Sequence, residues 1–279
     1  MNLIGFFNGK YLPVKKIKIS IFDLGLLRSY AVFDFIRTYN QKPFLLDDHL
    51  KRFFNSAKAL SLKSPYNFEG IKRIINKLIE TNKNKAKEFN LRIVLTGGES
   101  ENSTEPGKPN FLIIVTPLKN LNQSIYKKGI KLITKIYERQ FPQVKSTLYG
   151  PLIKFLIEAK KKKAFEVLLL DRNKRVLECT TSNFFIVKKN KVYTPPLKNV
   201  LGGITQKFIF KLMKENKIPF EEKEIKYEEL KIIDECFITA TNKEIIPVVK
   251  IDNFKIGSGK PGKITLNLIN LFKQFVENY

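Results

Sequence analysis

Lys145, followed by Ser146 and Tyr149, and Glu178 in the string Glu178-Cys179-Thr180-Thr181-Ser182-Asn183 are the residues whose types and spacing suit a defined chemistry. A lysine amine can hold an aldehyde cofactor as a Schiff base. A carboxylate facing a pyridine nitrogen keeps that ring protonated, so that it draws electrons from a bound amino acid. Lysine is abundant in this chain, and a lone glutamate at a strand edge is more often an ordinary charged residue, so neither carries the reading alone. A phosphate on such a cofactor needs fixed donors. Leu201-Gly202-Gly203-Ile204-Thr205 supplies a Gly-Gly turn entering a helix, with backbone N–H groups and the positive end of a helix dipole at Gly203, Ile204 and Thr205. An ordinary helix entry is the alternative for that turn.

These blocks fall into a longer succession. In order come Asn8-Gly9, Asp23-Leu24-Gly25, Val32-Phe33-Asp34, His49-Leu50-Lys51-Arg52 and Ser56-Ala57. After the lysine and glutamate blocks come Thr194-Pro195-Pro196-Leu197, Phe237-Ile238-Thr239-Ala240-Thr241, Glu244-Ile245-Ile246-Pro247-Val248 and Gly257-Ser258-Gly259-Lys260-Pro261-Gly262. The succession resembles the class IV aminotransferases, the fold type IV enzymes of pyridoxal 5′-phosphate, over nearly the whole chain.

That resemblance implies an α/β (α+β) fold of two lobes, with a smaller N-terminal α/β domain and a larger C-terminal pseudo-barrel domain that binds the cofactor. It implies a strand-borne Lys145 as the catalytic lysine and Glu178 as the partner of the pyridinium nitrogen. Tyr149 would hydrogen-bond the phenolate oxygen, and Arg52 would meet the phosphate. Asn183 and Thr241 complete the expected cofactor contacts. Displaced from the aldehyde, Lys145 would act as the general base at the substrate α carbon in a ping-pong cycle. His49 reads as a structural hydrogen-bonder.

For substrate carboxylates the candidates are Arg28, Arg92 and Lys243, arginine being suited to bidentate capture. Each has a scaffold charge as its alternative, evenly weighted for Lys243. The Arg-x-His pair usual in D-amino-acid transaminases is missing near Arg92, and so is the arginine–proline usual in branched-chain enzymes. Leu26-Leu27-Arg28 with Thr96-Gly97-Gly98 looks like an atypical branch of the D-amino-acid transaminases, with L-branched-chain transamination as the alternative. Tyr149 argues against an aminodeoxychorismate lyase. Family members are homodimers in which a loop of the neighbour completes the substrate pocket, and Arg28 lies in the segment expected to be that loop.

The elements needed to position these residues are legible in the apolar periodicity. Residues 3–7 and 17–22 read as strands, with Asn8-Gly9 as a hairpin turn, and 44–46 as a short strand. Leu50, Phe53, Phe54, Ala57 and Leu60 share one face of a helix starting at Asp47, and Ile71, Ile74, Ile75, Leu78 and Ile79 repeat the signature. Strands are expected at 91–96 and 111–116, so residues 1–118 form the first domain. A polar connector runs over 119–127, and 128–279 form the second domain. There, strands at 130–137, 166–170 and 183–187 alternate with helices at 152–163, 206–215 and 264–276.

With 279 residues, 43% of them hydrophobic, the chain can bury real cores. It has no apolar run of membrane-spanning length and no secretory start, so a cytoplasmic location is expected. Two cysteines and a single histidine leave no metal-ligand cluster. The net charge of +25 would suit a basic binding protein on an inactive scaffold. Only eight of the 51 basic residues are arginine, however, and the lysines are spread throughout, as on a solvated surface, so nucleic acid is not the expected partner.

Overall fold

Asn8 and Gly9 both take positive φ (43° and 91°), the geometry that reverses a two-residue hairpin with the natural strand twist. They join β1 (Ile4–Phe7) to β2 (Lys10–Pro13). The computed structural model describes residues 2–279, which divide into two units. The first comprises residues 2–119, Val144–Leu148 and Tyr279; the second comprises Asn120–Gln143 and Tyr149–Asn278.

In the first unit the chain continues through α1 (Leu24–Leu27), β3 (Ala31–Tyr39), β4 (Lys42–Pro43), α2 (Leu46–Ala59), α3 (Phe68–Asn82), β5 (Phe89–Thr96) and β6 (Phe111–Pro117). The six strands form one antiparallel sheet in the order β2-β1-β6-β5-β3-β4. Register puts Val32, Ile36, Leu91, Ile93, Leu95, Phe111 and Ile113 on one face, and α2 and α3 close it with Leu50, Phe53, Ile71, Ile75 and Leu78. Each such side chain, fully buried, contributes about 1.5–3 kcal/mol. The opposite face carries Phe33 and Phe35 of β3 and, across from Phe35, Arg92 of β5.

Two expected strands are absent. Residues 17–22 pair with nothing in the sheet. Instead the Asp23 N–H donates to the Ser20 carbonyl, and the Asp23 carboxylate accepts the Gly25 N–H at 2.6 Å to start α1. In the second case Leu45, at φ 48°, turns the chain directly from β4 into α2, so Leu46 is helical.

The second unit runs α4 (Ser124–Lys128), β7 (Ile130–Ile136), α5 (Gly150–Lys161), β8 (Glu166–Leu170), β9 (Val176–Cys179), β10 (Asn183–Lys188), β11 (Lys191–Thr194), α6 (Ile204–Glu215), β12 (Phe220–Glu222), β13 (Glu235–Ala240), β14 (Glu244–Ile251), β15 (Phe254–Lys255) and α7 (Lys263–Glu277). Its strands follow the order β12-β11-β10-β13-β14-β7-β8-β9, with β15 on β14, in a sheet curled as a half-barrel. β7 is parallel to both β8 and β14, and β12 is parallel to β11. Parallel strands are buried on both faces, which is why β8 reads as the unbroken apolar run Val167–Leu170. No helix among the described residues is long and apolar enough to cross a membrane.

Candidate active site

In the first unit, β3 and α2 share a buried charge cluster. Asp34 is fully buried between Phe33 and Phe35 of β3. His49 and Arg52, one turn apart on α2, reach it together. His49 Nδ1 lies 2.7 Å from Asp34 Oδ1, and Arg52 donates Nε to Oδ2 and Nη2 to Oδ1, each at 2.8 Å. Burial pushes the Asp34 carboxyl up, but the Arg52 guanidinium and His49 overcome this and hold it well below the usual carboxylate range. Burial pushes His49 down against the pull of Asp34, with Arg52 and Lys145 adding to the effect, so the ring is held neutral. Its Nε2 is buried without a hydrogen-bond partner.

Lys145 is not on a strand, contrary to the expectation from the resemblance, but in an irregular segment hydrogen-bonded to the start of β3. The Phe33 N–H donates to the Lys145 carbonyl at 2.9 Å, Ser146 bridges Val32, and the Thr147 N–H donates to the Ala31 carbonyl. The Lys145 N–H donates to Ser56 Oγ of α2 at 3.1 Å. Its ammonium sits 4.6 Å from the centroid of the Phe33 ring. The backbone is thus tied down on both sides while the side chain lies on the aromatic face of the sheet.

Arg28 caps the C-terminus of α1, exposed, donating Nη1 to the neighbouring Leu27 carbonyl at 3.0 Å. Arg92 is exposed on β5, with its guanidinium 5.7 Å from the Phe35 ring.

In the second unit Glu178 ends β9 almost wholly buried. Its Oε1 lies 2.8 Å from Arg139 Nε in an ion pair, and its Oε2 accepts the Leu201 N–H at 3.2 Å. Arg139 also donates Nη2 to the Thr180 carbonyl at 2.7 Å, and its guanidinium lies 5.3 Å from the Tyr149 ring centroid. Tyr149 caps the N-terminus of α5. Burial pushes its phenol up, with Arg139 opposing, so it remains a proton donor at neutral pH. Arg139 was invisible to motif reading; the one signal available was its being one of only eight arginines.

Asn183 begins β10 and donates its side-chain amide to the Leu201 carbonyl at 2.8 Å. Leu201 is therefore clamped at both backbone groups, its N–H by Glu178 and its carbonyl by Asn183. Gly203 precedes α6 and lies so close to Asn183 that a Cβ would stand 1.9 Å from Asn183 Oδ1. Ile204 and Thr205, both buried, occupy the first turn of α6, where backbone amides have no carbonyl four residues back to donate to. Thr241 lies in the turn between β13 and β14, and the buried hydroxyl of Thr239 on β13 has no hydrogen-bond partner. Lys243, in the same turn as Thr241, is committed to the buried Glu166 carboxylate at 2.8 Å. Within the second unit the structure thus gathers Tyr149, Glu178, Asn183 and the 201–205 segment around Arg139 and Leu201, with Lys243 in a separate ion pair.

The comparisons agree with this arrangement. Residues 31–251 match the amino-transferase class IV family. A putative branched-chain-amino-acid aminotransferase of Methanocaldococcus jannaschii is 35% identical over 278 residues, covering 96% of this chain and 94% of the relative. A D-alanine aminotransferase of Bacillus licheniformis is 32% identical over 269 residues, covering 94% and 93%. The crystal structure of a branched-chain amino acid aminotransferase with pyridoxamine 5′-phosphate, from the source abbreviated T.th., superposes with a TM-score of 0.91 at 27% identity, covering 100% of this chain and 95% of that one. With a family match over most of its length, relatives above 30% identity and the fold of known transaminases, this chain belongs to the class IV aminotransferases and is a pyridoxal-phosphate-dependent transaminase.

Proposed function

We propose that Lys145 is the cofactor-bearing lysine and that the enzyme moves an amino group from a D-amino acid to a 2-oxo acid in two alternating half-reactions. The observation that carries the site reading is the Glu178 carboxylate, buried yet held in an ion pair by Arg139 and bonded to the Leu201 amide that leads into the Gly-Gly turn. The chain's donors fit pyridoxal 5′-phosphate. Gly203 keeps a side chain out of the turn, the first-turn amides of Ile204 and Thr205 suit a phosphate, and the unpartnered Thr239 hydroxyl lies on the strand opposite Asn183. Gly203, Ile204, Thr205, Thr241 and Arg52 would hold the phosphate, Glu178 the ring nitrogen, Tyr149 the ring oxygen, and Asn183 would buttress the turn through Leu201. When bound, the group supplies an electron-withdrawing ring that stabilises negative charge at the substrate α carbon.

The residues of this chain do the rest. Lys145 Nζ takes the proton from the α carbon and returns it, held in reach by the backbone bonds to β3 and Ser56. Glu178 keeps the ring nitrogen protonated, and Arg139 keeps Glu178 in place. The protonated Tyr149 phenol donates to the ring oxygen.

Of the three candidate anchors for a substrate carboxylate, Lys243 is occupied by Glu166, whereas Arg28 and Arg92 are exposed guanidiniums. Those two arginines support the D-amino-acid preference. The 35% identity to the Methanocaldococcus jannaschii relative supports L-branched-chain substrates as the second reading.

The segment bearing Arg28 also exposes Ile21, Phe22 and Leu26, at 68%, 58% and 66% of their surface. Clustered exposed apolar side chains are the signature of a surface covered by a partner, and a homodimer is the assembly we propose. Two measurements test the reading. Reconstitution, borohydride reduction and peptide mapping are expected to place the label on Lys145, and a label on another lysine overturns the assignment. Assays with α-ketoglutarate are expected to show turnover of D-alanine or D-glutamate, and activity with L-leucine alone overturns the D preference.

A further inference from the structure

Glu166 opens β8 fully buried, and every residue of the turn that separates Glu178 from Asn183, from Thr180 to Ser182, donates to its carboxylate. Oε1 accepts from Thr180 Oγ1 at 3.0 Å, from Thr181 Oγ1 at 2.8 Å and from the Thr181 N–H, and Oε2 accepts from Ser182 Oγ at 2.8 Å. Lys243, arriving from the β13–β14 turn, donates to Oε2 at 2.8 Å and also to Thr181 Oγ1 at 2.5 Å and Ser182 Oγ at 2.9 Å. The two hydroxyls are therefore donors to the anion and acceptors from the cation. The turn is braced between opposite buried charges, and its backbone closes on itself where the Cys179 N–H donates to the Ser182 carbonyl at 2.8 Å. Burial pushes the Glu166 carboxyl up, but Lys243 and the hydroxyl donors outweigh this and hold it below the ordinary value.

The turn leads to the chemistry on both sides. Its Thr180 carbonyl accepts from Arg139, the same guanidinium that pairs with Glu178. Its last residue runs into Asn183, whose amide holds the Leu201 carbonyl. Resting on the role given above to Glu178, we propose that Glu166 and Lys243 are positioning residues. Their ion pair fixes the conformation of Thr180–Ser182, and through it the placement of Arg139, Glu178 and Asn183. Lys243 is accordingly spent inside the protein rather than on a substrate carboxylate.

Removing one member of a buried pair strands the other charge, whereas removing both often costs little. For Lys243→Met the expected result is a loss in kcat of about tenfold or more, amino-acid KM within about twofold of the parent, and recovery of most of the loss in Lys243→Met/Glu166→Gln. A shift in the pH at which the visible band changes accompanies it, because the ring-nitrogen proton is held by Glu178. In the cofactor-free protein, the Thr181 and Leu201 amides are expected to exchange hydrogen about tenfold faster in Lys243→Met than in the parent. That exchange does not depend on the cofactor: accelerated exchange with no visible band in the reconstituted parent protein keeps the brace and overturns the cofactor reading. A rise in amino-acid KM with unchanged exchange over residues 180–183 makes Lys243 an anchor and overturns the proposal. Should Lys243→Met fail to fold, the double variant carries the test, since a folded double variant with parental exchange supports coupling and one that also fails overturns it.

Discussion

Glu178 and Asp34 solve the same problem in two ways: each is a carboxylate taken out of water and stabilised by an arginine, Arg139 in one unit and Arg52 in the other. The Asp34 pair is a two-point fork on the charged oxygens, a geometry that fixes the guanidinium plane. For Glu178 the charge itself is the function. Glu178→Ala is expected to lower the transamination rate by roughly 10²- to 10³-fold, in the range for losing one preorganised electrostatic group, while the borohydride-reducible label on Lys145 persists. Unchanged turnover overturns its role. The neutral, buried His49 gives the stability a pH signature. Its folded value lies below the ordinary 6.5, so the unfolded state binds the proton more readily. Its contribution is complete above pH 6.5 and is lost as the pH falls toward the depressed folded value. Asp34 and Glu166, also lowered from 3.8 and 4.5, contribute fully above those values and lose their share at still lower pH. Urea unfolding from pH 7.5 down to 3 is expected to show a decline beginning near pH 6.5 that His49→Gln removes, leaving the steeper acid loss in place.

At the scale of elements, the entry to α6 is where spacing and packing meet. Gly202 and Gly203 read alike in the sequence, and only the second is constrained: nothing lies within 4 Å of a Cβ at Gly202, whereas one at Gly203 meets Asn183 Oδ1 at 1.9 Å. Gly203→Ala is expected to push Asn183 off the Leu201 carbonyl, costing about 1–3 kcal/mol in stability and loosening cofactor binding. Gly202→Ala should leave both near the parent, and cofactor titration with thermal unfolding separates the two. The helices α2, α3, α5, α6 and α7 were legible because an amphipathic stripe is a local signal. Strands were less so. β3, with buried Asp34, Arg37 and Thr38 among its apolar residues, breaks period-two alternation because its polar side chains have partners contributed from α2 and elsewhere. Residues 17–22 alternate well and still form no strand, because alternation is satisfied only when a neighbouring strand offers its hydrogen bonds.

At the scale of the whole molecule, Arg28 defines the test of assembly. Its exposed position beside Ile21, Phe22 and Leu26 suits a loop that serves a second copy of the chain. Mixing inactive Arg28→Ala and Lys145→Ala proteins is expected to restore part of the activity, because the shared arrangement regenerates one intact site per pair. No recovery under conditions of subunit exchange overturns action in trans. The sequence by itself determined the family, the positions of Lys145 and Glu178, the Gly-Gly helix entry and the main helices, since each is carried by residue type at fixed spacing along the chain. Only the tertiary structure decided that Arg139 is the countercharge of Glu178, that Leu201 is held at both backbone groups and that Lys243 belongs to Glu166. The physical reason is that buried charges choose partners by proximity in space, and Glu166 and Lys243 are brought together by strand pairing that no local pattern encodes.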